Sequence, residues 1–242
     1  MTSSLQTSES SQHTKLGMLL ENAPLSNVHE IPVINPLKVD LPRCLIPFSE
    51  AVSQKCRDFN CWVCFYEKDS AFECLWNNPQ RYLSRLRKFQ GVISPDYSFS
   101  LTSPWAEQFF QFLRGRALAG WLQSNGIPVI GNVRYANEAS KDFCCEGLPP
   151  NDVISVGSLG LLKDPDMCKA LEMGLEFAVS QLHPRTILVY GGHPEKVFGR
   201  YRCQGITILS FPARINSRLN ESQKRKSELK TQDFDAVQGR FF

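Results

Sequence analysis

The sequence predicts an α/β domain built on a largely parallel sheet of about six strands with crossover helices. Two observations carry this. Between residues 60 and 212, short apolar and β-branched runs alternate with longer segments of helical periodicity. The helical segments also carry their own start and stop signals, and the links between segments are short. Strand, helix and strand in close succession imply right-handed crossovers. An open doubly wound sheet accommodates such strands. A partial or distorted β/α barrel follows instead if the segment near Cys44–Phe48 adds a strand.

The predicted strands, in order, are CWVCFYE (61–67), GVIS (91–94), IPVIGNV (127–133), DVISV (152–156), TILVY (186–190) and ITILSF (206–211). The predicted helices cover roughly 79–90, 104–125, 165–182 and 194–204. In the third, Met167, Leu171, Leu175, Ala178 and Leu182 form one apolar face. Asn78, Ser103 and Asp164 each precede a proline. A side chain there accepts hydrogen bonds from free backbone N–H groups, and proline in the first turn forfeits nothing. Gly126 and Gly205 fall just past helix ends, where a left-handed residue closes the last turn.

Residues 1–15 are Ser/Thr/Gln-rich and are expected to be disordered. Residues 16–59 carry Pro24, Pro32, Pro36, Pro42 and Pro47 and read as an extended lead-in. Residues 60–212 form the α/β domain, and 213–242 a polar basic tail. No run of about 18 apolar residues occurs, so no membrane span is expected. The N-terminus lacks a secretory pattern, which points to the cytoplasm. Net charge is +3. The tail holds seven basic residues against four acids, which leaves the body neutral and without a broad electrostatic case for nucleic acid.

Nine cysteines, an odd number at irregular spacing, suggest reduced thiols. Cys61-x-x-Cys64, with Cys56 and Cys74 nearby, invites a zinc reading but lacks a second close pair. Residues three apart in a strand also face opposite sides. Buried apolar cysteine is the better expectation, also for Cys144-Cys145.

Parallel α/β folds bind ligands at the C-terminal ends of their strands. Just past the predicted strands stand Glu67, Asp69 and Glu73, then Asp96 and Ser98, then Asn132, Arg134 and Tyr135, then Gly157, Ser158 and Gly160, and last Tyr190, Gly191 and His193. Asp96, Asp69, Glu73 and His193 are the candidate catalytic residues, because carboxylates from separate strands divide acid and base roles or hold a divalent cation. Ser98, Asn132, Arg134, Tyr135, Gly157, Ser158, Gly160, Tyr190 and Gly191 are the candidate ligand contacts. Arg134 suits a phosphate or carboxylate, and the Gly157–Gly160 turn suits an anion. Against these stand plain readings: caps for Asp69 and His193, a turn for Asp96 after Pro95, a salt bridge for Arg134. No nucleotide-binding glycine fingerprint occurs. Arg114-Gly115-Arg116 either approaches the rim or faces water.

The stretches PDYS (95–98), GIPVIGNVRY (126–135), FCCEGLP (143–149), SVGSLG (155–160) and LVYGG (188–192), with KDSAFECLWNNPQRYL (68–83) upstream, resemble in kind and order the bacterial and phage domain-of-unknown-function family 4417. The resemblance spans roughly residues 60–212 and implies a prokaryotic, often mobile-element-encoded protein with no assigned activity. Where that family tends to carry tryptophan after the third strand, this chain carries Tyr135.

Three functions compete. The first is a hydrolase or phosphodiesterase-type enzyme, with Asp96 central, acting on a nucleotide, nucleic acid or other small anionic ligand. The second is a non-catalytic binding protein that uses the same rim. The third is a nucleic-acid accessory factor that uses the tail around Lys224-Arg225-Lys226.

Overall fold

A computed structural model describes residues 14–21 and 23–213. The expectations of a disordered N-terminus and of a basic tail at the other end fall almost wholly outside them. Among the described residues, seven strands form one parallel sheet in sequential order. They are β1 (Leu45–Pro47), β2 (Trp62–Cys64), β3 (Gly91–Ile93), β4 (Val129–Asn132), β5 (Val153–Gly157), β6 (Thr186–Tyr190) and β7 (Thr207–Phe211). Among the described residues, seven α-helices accompany them: α1 (Lys15–Leu20), α2 (Phe48–Ala51), α3 (Glu73–Asn77), α4 (Pro79–Leu86), α5 (Trp105–Ser124), α6 (Pro165–Leu182) and α7 (Glu195–Cys203).

A doubly wound sheet reverses its strand order part-way; this sheet never does. Crossovers of one hand then lay the helices on one face, and the sheet curls away from them into half of a barrel. The seventh strand is the one near Cys44–Phe48, so the barrel alternative holds and the open doubly wound form does not. The lead-in supplies that strand. It also sends Leu37 and Leu41 against the inner face of the sheet, where the Leu37 N–H donates to the Asp152 carboxylate at 2.6 Å.

Alternation sorts the strand residues by face. Val63, Phe65, Val92, Val129, Val133, Ile154, Val156, Ile187 and Val189 pack with the helices in the main core. Trp62, Cys64, Tyr66, Ile93, Ile130, Leu188 and Tyr190 form a second cluster inside the curl. Register aligns Trp62 with Gly91, and a Cβ on Gly91 would stand 2.5 Å from the Trp62 ring. The absent side chain is what lets the indole lie across the sheet.

Several end signals act as the sequence suggests. Asn78 and Asp164 accept from backbone N–H groups of the first turns of α4 and α6. Gly126 and Gly205 adopt φ of +82° and +84°. Ser103 does not cap: α5 starts after Pro104, and the Ser103 hydroxyl accepts from the Ser100 N–H instead. His183 ends α6 in a left-handed conformation, φ +47°.

The thiol expectation needs correction. Cys44 and Cys61 are disulfide-bonded. The β1–β2 register pairs Leu45 with Trp62, which makes the preceding residues cross-strand neighbours with a Cα–Cα distance of 5.0 Å. Irregular spacing along the chain conceals a pair that only strand register creates. Cys61 and Cys64 do face opposite sides, the former in the helix-side core and the latter inside the curl. A bond closing a loop of this size contributes about 2–3 kcal/mol. Phosphine reduction in a chelator-containing buffer should therefore lower stability by about that amount in denaturant titrations. An unchanged midpoint would show that the bond adds nothing to the fold.

Among the described residues, no helix is long and apolar enough to cross a membrane.

Candidate functional site

The inner face changes character toward the C-terminal ends of the strands. Below lie Trp62, Ile93, Ile130 and Leu188; above, polar side chains point into the curl. Tyr66, two residues beyond β2, reaches across it. Its hydroxyl lies 2.7 Å from Asn132 Oδ1 on β4 and 2.6 Å from Ser155 Oγ on β5. Its ring stacks on Tyr190 of β6, centroids 5.2 Å apart at 18°. A Cβ on Gly157 would stand 2.7 Å from the Tyr66 ring, so glycine there is the condition for this bridge.

The bonds form a directed chain. The Tyr66 hydroxyl donates to Asn132 Oδ1, which fixes the amide so that Nδ2 donates to Asp96 Oδ1 at 2.8 Å. The second Asp96 oxygen accepts from Arg134 at 3.2 Å. Arg134 also donates to the Phe99 carbonyl and lies over the Phe99 ring. Linked bonds of this kind polarise one another in a low-dielectric setting. The Ser94 hydroxyl accepts from the Asn132 backbone N–H at 2.7 Å and locks the β3 exit to β4. Pro95 then delivers Asp96 to the head of the curl.

Burial pushes the Asp96 carboxyl above its ordinary value; Arg134 and the Asn132 hydrogen bond oppose this, and Asp69 adds to it. Burial, with Asp96 second, likewise raises the Tyr66 phenol well above its ordinary value, so Tyr66 stays a neutral donor.

Over this chain opens a cavity of about 690 Å³. Tyr66, Asp96, Ser98, Arg134, Gly157 and Tyr190 line it, with Pro47, Ala71, Leu159, Leu161 and Met167 as apolar wall and Ser49, Glu50, Glu67, Lys68 and Ser70 as polar rim. Glu67 accepts from the Ser49 N–H and hydroxyl, which ties α2 to the end of β2. The lining thus holds three carboxylates against two cations, one of each being the Asp96–Arg134 pair.

Asp96, Ser98, Asn132, Arg134, Gly157 and Tyr190 therefore meet at one place. Other candidates lie outside this cavity. Asp69 does not line the cavity; it accepts from the Ser98 N–H and hydroxyl and so holds that rim turn. Glu73 forms a two-oxygen pair with Arg114 at 2.6 Å, and the Arg114 guanidinium lies 3.9 Å from the Tyr97 ring centre. Tyr135 turns toward α6, where Gly174 makes room for its ring, and donates to Glu138; burial first and Glu138 second push its phenol up to about 12. The Ser158 hydroxyl donates to the Gly192 carbonyl, and Gly191, at φ +117°, leaves it the space. Gly160, φ +82°, starts a single 3-10 turn. His193 is exposed, with Nε2 3.5 Å from the Ser210 hydroxyl.

Arg114 and Arg116 are both buried, against the expectation that they reach the rim or water. The Arg116 nitrogens have no hydrogen-bond partner among the described residues. Burial brings its guanidinium down to about 10.

Tyr66, Ser155 and Ser94 escape sequence reasoning. The signal for Tyr66 is parity: it shares the face of Trp62 and Cys64 and is the first residue of that face to carry a hydroxyl.

Glu73→Ala should lower stability by about 1–3 kcal/mol, because it strips the partner from a buried guanidinium. A denaturant titration checks this; an unchanged midpoint would show that the pair with Arg114 adds nothing to the fold.

The model of a family described as a domain of unknown function (DUF4417) matches residues 23–212. The chain belongs to this family. Its match takes in the lead-in that supplies β1 as well as the rest of the sheet. Two phage proteins, each called Gene 1 protein, are similar to it. That of Mycobacterium phage L5 is 29% identical over 127 residues, 52% of this chain and 56% of the relative. That of Mycobacterium phage D29 is 28% identical over 127 residues, 52% and 47%. The chain thus spans about half the length of the curated relatives it matches. No solved structure matches it. A DUF4417 member with phage relatives is what the chain is, and its chemistry has to be argued from the cavity.

Proposed function

We propose that this DUF4417 chain binds a small molecule of nucleotide size in the mouth of its half-barrel, with Asp96 and Arg134 reading one edge of the ligand. The observation that carries the proposal is the Asp96–Arg134 pair at the head of the 690 Å³ cavity. A carboxylate beside a guanidinium offers an acceptor next to a donor, which matches the donor–acceptor edge of a heterocyclic base or an amide. Leu159, Leu161 and Met167 offer an apolar wall for the flat body of such a ligand. Lys68 at the rim is placed to meet a phosphate. A cation arriving with that phosphate would be met by Glu50 and Glu67.

Three carboxylates in the lining argue against a simple anion trap, and this favours a ligand read by hydrogen bonds over one held by charge alone. A hydrolase is the second reading. It would use Asp96, the buried carboxylate of the lining, as its acid or base.

Thermal melts against a panel of nucleoside monophosphates, with nucleosides and ribose 5-phosphate for comparison, test the binding reading. At least one base-bearing compound should raise the melting temperature, and Leu161→Trp, which fills the cavity, should abolish the shift. A shift from ribose 5-phosphate equal to that from the nucleotides would replace base recognition by phosphate binding. No shift with any compound would remove the reading.

A further inference from the structure

The β1–β2 edge carries a cluster outside the mouth. Cys44, Asp58 and Cys61 present two sulfurs and a carboxylate oxygen, all within 4.8 Å of one another. Asp58 lies on the loop leading into β2, with Oδ2 3.8 Å from Cys61 Sγ. Its other oxygen accepts from the Asn60 N–H at 2.9 Å, which aims Oδ2 at the sulfurs. Cys44 Sγ lies 3.5 Å from the Asn60 carbonyl.

We propose that, once the disulfide is reduced, Cys44, Cys61 and Asp58 hold a thiolate-seeking divalent cation of the zinc class, with solvent in the fourth position. Tetrahedral zinc, with bonds of about 2.3 Å to sulfur and about 2.0–2.2 Å to oxygen, sets its ligand atoms about 3.5–3.8 Å apart. The Asp58–Cys61 spacing already has this value. The two sulfurs must part, which breaking their bond permits. Lys55 and Arg57 line the adjoining hollow with Cys56, Asp58 and Cys61 and offset the charge of two thiolates and a carboxylate around a dication. In the reducing step a phosphine takes up the oxygen of one water, and the disulfide gains two electrons and two protons. Metal binding then releases both thiol protons to solvent.

The site also answers a structural need. β1 is an edge strand of three residues, and a covalent or metal clamp to β2 holds it in either redox state. That clamp keeps α2, and with it Ser49 and Glu50, at the cavity rim.

Cobalt(II) titration of the phosphine-reduced full chain tests the proposal. Sulfur-to-cobalt charge transfer in the near ultraviolet, with the visible bands of a tetrahedral site, should appear at one metal per chain and disappear on adding zinc. The unreduced protein should show neither. Cys44→Ser and Cys61→Ser should lose the bands, and Cys203→Ser, far from the cluster, should keep them. Asp58→Asn changes an exposed side chain and leaves the fold intact, so it serves where a cysteine variant fails to fold. It should weaken cobalt binding by at least about tenfold. Absence of bands in the reduced wild type, or bands of undiminished strength in Cys61→Ser or Asp58→Asn, would overturn the proposal.

Discussion

Trp62→Ala should destabilise the protein by about 3–5 kcal/mol in denaturant titrations, the largest effect expected of any single substitution. Trp62 is fully buried in the inner-face cluster, and a glycine on the neighbouring strand leaves its ring the room it occupies. Among the described residues no helix packs on the concave side, so large side chains fill the curl from within. Removing the indole opens a void beneath the Tyr66–Asn132–Asp96 chain. The buried indole N–H has no partner among the described residues, so Trp62→Phe sheds an unsatisfied donor and should cost clearly less than the alanine change. A loss below about 1 kcal/mol for Trp62→Ala would mean that the curl is filled by other groups.

Asp96→Asn should leave stability at neutral pH within about 1 kcal/mol of wild type and cut ligand binding by at least about tenfold. Two opposed effects keep the first number small. The substitution removes the charge that Arg134 pairs with, and it also relieves the cost of a buried carboxylate. The sign with pH follows. Burial raises the folded-state value of Asp96 above 3.8, so the folded protein holds this proton more tightly than the unfolded chain. Stability from this source is fully present below the unfolded value and is lost as pH rises through the folded one. Asp96→Asn removes that loss, so its melting temperature should gain on wild type across this window. Melts on both proteins from acid to neutral pH check this; parallel curves would show that Asp96 titrates as an ordinary surface acid.

Much of the fold was legible in the residues. Six strands and the four longer helices announce themselves by apolar period, and Gly126, Gly205, Asn78 and Asp164 mark ends that the structure keeps. β1 was legible only as a condition, since three residues ending in proline carry no alternation. The curl follows from sequential strand order, a property of pairing that no local pattern carries. At the site, Pro95 announced Asp96, and the rim reading brought Asn132, Arg134, Gly157 and Tyr190 to one place. Position past a strand did not tell a side chain facing the cavity from one facing a helix. Glu73 went to Arg114, 41 residues away, and Tyr135 to α6. Cys44 and Cys61 met for the same reason: cross-strand register, 17 residues apart in sequence.

Ligand capture in the cavity headed by Asp96 is open to one direct measurement. Calorimetric titration of the nucleoside monophosphate giving the largest thermal shift, run on wild type, Asp96→Asn and Glu73→Gln, tests it most directly. Wild type and Glu73→Gln should bind it saturably and alike, with affinity at least about tenfold weaker in Asp96→Asn, a difference of about 1.4 kcal/mol or more. Equal affinity for wild type and Asp96→Asn would contradict it.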